Sequence, residues 1–128
     1  MEILIKLRKT EYWSNKKWAV RIWFKVRIID YRRTCRVNWL EIPLNCIREG
    51  LTIWHLQNII TNKKNKIGKN FSISANVIIG HAKGKTPEIG DNVILMVNTS
   101  VLGAKICNNV AIGANTLVIK DISEERSV

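Results

Sequence analysis

Residues 67–123 read IGKNFS-ISANVI-IGHAKGKTPE-IGDNVI-LMVNTS-VLGAK-ICNNVA-IGANTL-VIKDIS, and this stretch decides the fold. An aliphatic residue opens each block: Ile67, Ile73, Ile79, Ile89, Leu95, Val101, Ile106, Ile112 and Val118. Gly68, Gly80, Gly90 and Gly113 follow four of them. A period of six is too short for a repeated helix pair. It fits a solenoid in which each block makes one flat side and one corner of a triangular coil. The leading aliphatic points inward and stacks on its counterparts, while Gly, Asn and Asp accept the corner backbone, φ > 0 included. Two blocks break the period. Ile79 to Ile89 spans ten residues and must extrude a loop, HAKGKTP, and VLGAK is one residue short.

These blocks resemble the hexapeptide-repeat acyltransferases, whose fold is a left-handed parallel β-helix. The segment IGDNV…VLG…NNVAIGANTLVIKDI is most similar to the serine O-acetyltransferase branch, which includes relatives acting in polysaccharide biosynthesis. The resemblance covers roughly residues 38–122. The expected organisation is therefore a basic, Trp-rich helical segment over 1–37, a β-helix acyltransferase domain over 38–122 and a short tail over 123–128.

Upstream, Ser14 is an N-cap candidate before NKKWAVRIWFKVRIIDYRR, and Trp18, Ile22, Val26 and Ile29 recur at helical spacing. A helix is expected over about 15–34, with residues 1–10 as a short strand or ordered tail. Residues 1–40 hold eleven Lys/Arg and three Asp/Glu (+8), and residues 41–128 hold ten and seven (+3). So uneven a charge suggests an anionic partner for the front segment. Residues 15–34 read either as a basic amphipathic helix on an anionic membrane surface or as a helix packed on the solenoid or a neighbouring subunit. No nucleic-acid motif accompanies the charge. Cys35, Cys46 and Cys107 have neither metal spacing nor a disulfide framework. The start of the chain lacks a secretory signal, so a reduced, cytoplasmic protein without a metal is expected.

The resemblance also implies a chemistry. A catalytic His follows a Gly-aliphatic run and precedes the Ile of an I-G block by twelve residues, which matches His55 before Ile67. A hydroxyl is a poor nucleophile until a base takes its proton, and imidazole is a side-chain base available near neutral pH. Glu41, near the place of the family's acidic residue one coil upstream, is expected to orient His55 or to contact the acceptor. His81, Lys83, Lys85 and Thr86 in the extruded loop, with Gly103 and Ala114 in later coils, are the expected acceptor- and CoA-binding positions. Acetyl-CoA is the implied co-substrate and a homotrimer the implied assembly, with active sites between neighbouring solenoids.

The sequence departs from the pattern. Thr86 stands before Pro87 where serine acetyltransferases commonly have a second His, and Trp54 precedes His55 where Asp is common. Leu95-Met96 replaces an I-G pair, Cys107 a corner Gly, and the G-x-P-A-K-type segment usual after the repeats does not follow. A serine acceptor is the first reading. A sugar O-acetyltransferase and a non-catalytic, truncated β-helix protein are the alternatives.

Overall fold

The structure is a computed structural model that describes residues 2–16 and 21–125. Two helices, α1 (Glu2–Ser14) and α2 (Arg21–Val37), precede eleven very short strands in three parallel sheets. Sheet I stacks β1 (Thr52–Ile53), β4 (Ser72–Ile73), β7 (Ile94–Leu95) and β10 (Ala111–Ile112). Sheet II stacks β2 (Ile60–Thr61), β5 (Ile78–Gly80), β8 (Ser100–Leu102) and β11 (Leu117–Val118). Sheet III stacks β3 (Lys66–Ile67), β6 (Glu88–Ile89) and β9 (Lys105–Ile106). The chain visits the sheets in rotation, so every pairing joins one coil to the next, as in the expected left-handed parallel β-helix.

All nine block-leading aliphatics are buried, each at most 5 % exposed. They form three inward columns: Ile67-Ile89-Ile106, Ile73-Leu95-Ile112 and Ile79-Val101-Val118. A second inward residue lies two positions earlier in most blocks, as with Phe71, Val77, Val93 and Val110, all close to fully buried. Burying each such side chain contributes about 1.5–3 kcal/mol.

The corners are set by asparagine. Asn58, Asn70, Asn76, Asn92, Asn98, Asn109 and Asn115 all have φ between 48° and 61°, a region Asn enters at lower cost than other non-Gly residues. Their amides also bond coil to coil: Asn70 donates to Asn92 (3.1 Å), Asn92 to Asn109 (2.9 Å) and Asn98 to Asn115 (3.0 Å). Glycine is required at Gly90, where a Cβ would lie 2.8 Å from the Asn108 backbone nitrogen.

The short block VLGAK does not disturb the register. Lys105 still pairs with Glu88 and Ile106 with Ile89. The missing residue is absorbed at Gly103, which takes φ 62° and donates its N–H to the Gly80 carbonyl (2.9 Å).

The front segment differs from expectation. Residues 2–14 are helical rather than a strand or tail. Ile3, Ile5 and Leu7 mimic a period of two, but Ile3 and Leu7 are buried with Thr10 and Glu11 on one helical stripe, and Ile5 is exposed. Ser14 is not an N-cap. It ends α1, with its hydroxyl donating to the Glu11 carbonyl. The second helix begins at Arg21 and runs to Val37, and residues 17–20, with Trp18, lie outside the described residues. Its C-terminus closes by a Schellman pattern, with Leu40 N–H to the Cys35 carbonyl and Trp39 N–H to the Arg36 carbonyl. Trp39 occupies the φ > 0 position (56°) where Gly is usual.

α1 caps the solenoid, whose open end needs such a cover. Glu11, 8 % exposed, accepts from the Asn45 N–H and from Arg8, and Arg8 also donates to the carbonyls of Ile47 and Arg48. Ile3, Leu7, Tyr31 and Cys35 join the same core cluster as Ile42 and Ile47.

Candidate active site at two solenoid corners

His55 stands on a corner that is longer than its neighbours. Between inward Ile53 and corner Asn58 lie four residues, Trp54 to Gln57. The coils that follow have two at this place: Ser74-Ala75, Met96-Val97 and Gly113-Ala114. The two extra residues close on themselves, with Gln57 N–H donating to the His55 carbonyl (3.0 Å) in a three-residue turn. Leu56 tucks against the core, leaving Trp54 (66 % exposed) and His55 turned to solvent. Ala114, also exposed, lies on this same corner three coils further on, roughly 14 Å away at the usual strand spacing.

The extruded loop leaves the opposite edge of sheet II. Ala82 and Lys85 exchange both backbone hydrogen bonds, and Lys83 (φ 49°) and Gly84 (φ 72°) form the turn between them. Two successive positive φ values are those of a type I′ hairpin. His81 and Thr86 face each other across its base, Nε2 to Oγ1 at 3.4 Å. Lys83 and Lys85 are exposed near the tip. Gly103 lies beneath the hairpin, where a Cβ would come within 2.7 Å of the Ala82 carbonyl oxygen. We expect Gly103→Ala to cost about 1–3 kcal/mol in urea unfolding, from strain and contact together. Gly84→Ala, with open space around it, should cost about 1 kcal/mol from φ alone.

Glu41 bridges to Ile60 ahead of β2 and is exposed on the outward face of sheet II. Among the described residues, no hydrogen bond or ion pair joins it to His55. The geometry thus parts the other sequence-chosen residues into two groups rather than one. His55 and Ala114 share one corner, while His81, Lys83, Lys85, Thr86 and Gly103 share the other, with the width of sheet II between them.

Two concavities of the described chain do not hold these groups. One, of about 1080 Å³, runs along sheet III past Gly68, Gly90 and Cys107. The other, of about 1090 Å³, lies between α2 and the first coil beside Arg36, Glu41 and Lys63. Neither is lined by His55 or His81. Nor do the buried thiols offer a nucleophile: burial pushes both Cys35 and Cys46 above the ordinary thiol value. Among the described residues there is no cluster of three or more metal-ligating side chains.

Sequence reasoning did not foresee the two-residue bulge, the exposure of Trp54 or the His81–Thr86 contact. The bulge could have been counted, since Ile53 to Asn58 is longer than Ile73 to Asn76.

No family model matches the chain. It is 36 % identical over 87 residues to serine acetyltransferases of Staphylococcus epidermidis and Staphylococcus aureus. The aligned part is 64 % of this chain and 41 % of those relatives, so the chain spans about two fifths of their length. Among solved structures, it superposes on serine acetyltransferase isoform 3 of Entamoeba histolytica, in complex with cysteine, with a TM-score of 0.76 at 21 % identity. That match covers 98 % of this chain and 45 % of the other. A Neisseria gonorrhoeae serine acetyltransferase gives a TM-score of 0.71 at 25 % identity, covering 94 % and 48 %. The inward columns and these likenesses agree on a left-handed hexapeptide-repeat β-helix, and over the aligned 87 residues the chain is similar to serine acetyltransferases.

Proposed function

We propose that this chain is an acetyl-CoA-dependent O-acetyltransferase of the serine O-acetyltransferase type, with its site completed between neighbouring copies. The observation that carries the reading is the bulged corner that turns His55 outward, twelve residues before Ile67, within a chain 36 % identical over 87 residues to serine acetyltransferases.

In this reaction His55 takes the proton of the acceptor hydroxyl as the oxygen attacks the thioester carbonyl. The tetrahedral intermediate collapses, its C–S bond breaks, and the proton held on His55 passes to the departing CoA sulfur. Backbone N–H groups at a solenoid corner are the expected oxyanion donors. Lys83 and Lys85, exposed at the hairpin tip, suit CoA phosphates as point charges. His81 reaches the side of Thr86 from the facing hairpin strand and supplies an imidazole close to where relatives carry their second His. Because sheet II separates the two corners, one copy's His55 meets another copy's hairpin, as in a trimer. Glu41 then acts on the acceptor or on His55 across that junction.

Trp54 favours a second reading of the acceptor. An indole 66 % exposed beside His55, in place of an acidic residue, is a flat apolar platform suited to a sugar ring. The test is thiol release from acetyl-CoA with L-serine and with a panel of sugars. Turnover with serine supports the first reading, turnover with sugars alone the second. No turnover with any acceptor, together with no acetyl-CoA binding by calorimetry, would leave the fold without the activity.

A further inference from the structure

Helix α2 has an outer face that neither α1 nor the solenoid covers among the described residues. Ile22, Trp23, Val26 and Ile29 are 78 %, 62 %, 56 % and 67 % exposed. They lie within one arc of the helix, at successive spacings of one, three and three. The face turned inward carries Tyr31 and Cys35 instead, both buried, and α1 packs along the Trp23 edge of the arc through Lys6 to Thr34 and Asp30. Exposed apolar side chains scattered singly need no explanation, but four on one helical arc do.

Their charged surroundings say what covers them. Lys25, Arg32 and Arg36 are exposed along one border of the arc, and Arg33 is exposed within it. The α2 sequence carries six basic residues and one acid, Asp30. Asp30 is already bonded to Lys6 at 3.3 Å. A second copy meeting this face would bring two strongly positive helices together around the apolar contact. A nucleic acid would match the charge and leave the apolar arc wet. An interface with apolar depth and an anionic surface satisfies both features, and the rim of an anionic bilayer has that composition. The helix has the dimensions for it: 17 residues span about 25 Å, and no described helix is long and apolar enough to cross a membrane.

We propose that the outer face of α2 docks the protein on an anionic lipid bilayer, with the helix lying in the plane of the headgroups. Ile22, Trp23, Val26 and Ile29 insert, and Lys25, Arg32, Arg33 and Arg36 meet the lipid phosphates. The bound solenoid would then stand off the membrane on the side of α1.

The experiment is co-sedimentation of the full chain with vesicles of phosphatidylcholine alone and with about 30 % phosphatidylserine. Two variants accompany it, Ile22→Ser/Val26→Ser/Ile29→Ser and Lys25→Gln/Arg32→Gln/Arg36→Gln. All substituted side chains are exposed, and far-UV circular dichroism checks that both variants fold. Expected are binding to the anionic vesicles only, weakening with salt, and a loss of about tenfold or more in partitioning for each variant. Three results would overturn the proposal. These are no binding of wild type to anionic vesicles, equal binding by wild type and both variants, and binding to poly-glutamate without binding to vesicles. A shift to smaller assemblies in the apolar variant, with no lipid binding by wild type, would assign the face to self-association and overturn it equally. Absence of wild-type binding to the anionic vesicles overturns the proposal even if a variant misfolds.

Discussion

Replacing His55 by alanine is expected to lower acetyl transfer by about 10²–10⁴-fold, the range a positioned general base contributes. The fold should not change, because His55 is exposed and none of its side-chain atoms is hydrogen-bonded among the described residues. Its place is secured by the backbone instead. The Gln57 N–H to His55 carbonyl bond, the anchoring of Leu56 in the core, and the Asn58 N–H to Asn38 carbonyl bond hold the bulge on the corner. The informative readout is therefore kcat against KM for acetyl-CoA. A base at the reacting hydroxyl predicts loss in kcat with KM little changed. Circular dichroism and unfolding midpoints should overlay those of wild type. If the variant turned over like wild type, the catalytic group would have to be sought elsewhere, with His81 the other imidazole near a corner.

The largest stability effect is expected at Phe71. It is fully buried, the largest of the fully buried side chains, and lies two residues before Ile73 inside the first complete coils. Phe71→Ala should lower the unfolding free energy by about 3–5 kcal/mol, combining lost transfer energy and the cavity left between coils that cannot collapse sideways. Urea unfolding at fixed protein concentration measures it, since an assembling chain has a concentration-dependent midpoint. Phe71→Leu, which keeps most of the volume, should cost clearly less. A loss below about 1 kcal/mol for Phe71→Ala would mean that the inward columns are not the source of stability.

How much of this was legible in the sequence depends on which force dictates each part. The solenoid was legible because one rule repeats: Ile67, Leu95 and Ile112 each face the same interior, and the Asn corners share one backbone conformation. The extruded loop was legible as a length, from Ile79 to Ile89. Its form as a hairpin was not, because Lys83 is a poor signal for φ > 0. The front segment was misread where local pattern and tertiary burial disagreed. Ile3, Ile5 and Leu7 alternate like a strand, and only packing against α2 and the first coil selects the helical stripe. On α2 the apolar positions were found at helical spacing, yet they point away from the chain's own core. Spacing reports that a face exists and is silent on what it faces.

Sequence chose the candidate positions one by one and could not give their arrangement. His55, His81 and the two loop lysines sit at corners, where chemistry is accessible, but sequence spacing could not say that sheet II divides them. On the proposed reading, the parting of the two groups is what calls for a neighbouring copy. It also gives a test that a purely intrachain site would fail.

The measurement is complementation between two inactive variants, His55→Ala and His81→Ala/Lys83→Ala/Lys85→Ala, each purified alone and then mixed under conditions that exchange subunits. Where a site takes His55 from one copy and the hairpin from the next, random mixing at equal amounts restores about a quarter of wild-type thiol release, because one junction in four pairs two intact halves. Activity that stays at the level of the separate variants after exchange would contradict a site shared between copies.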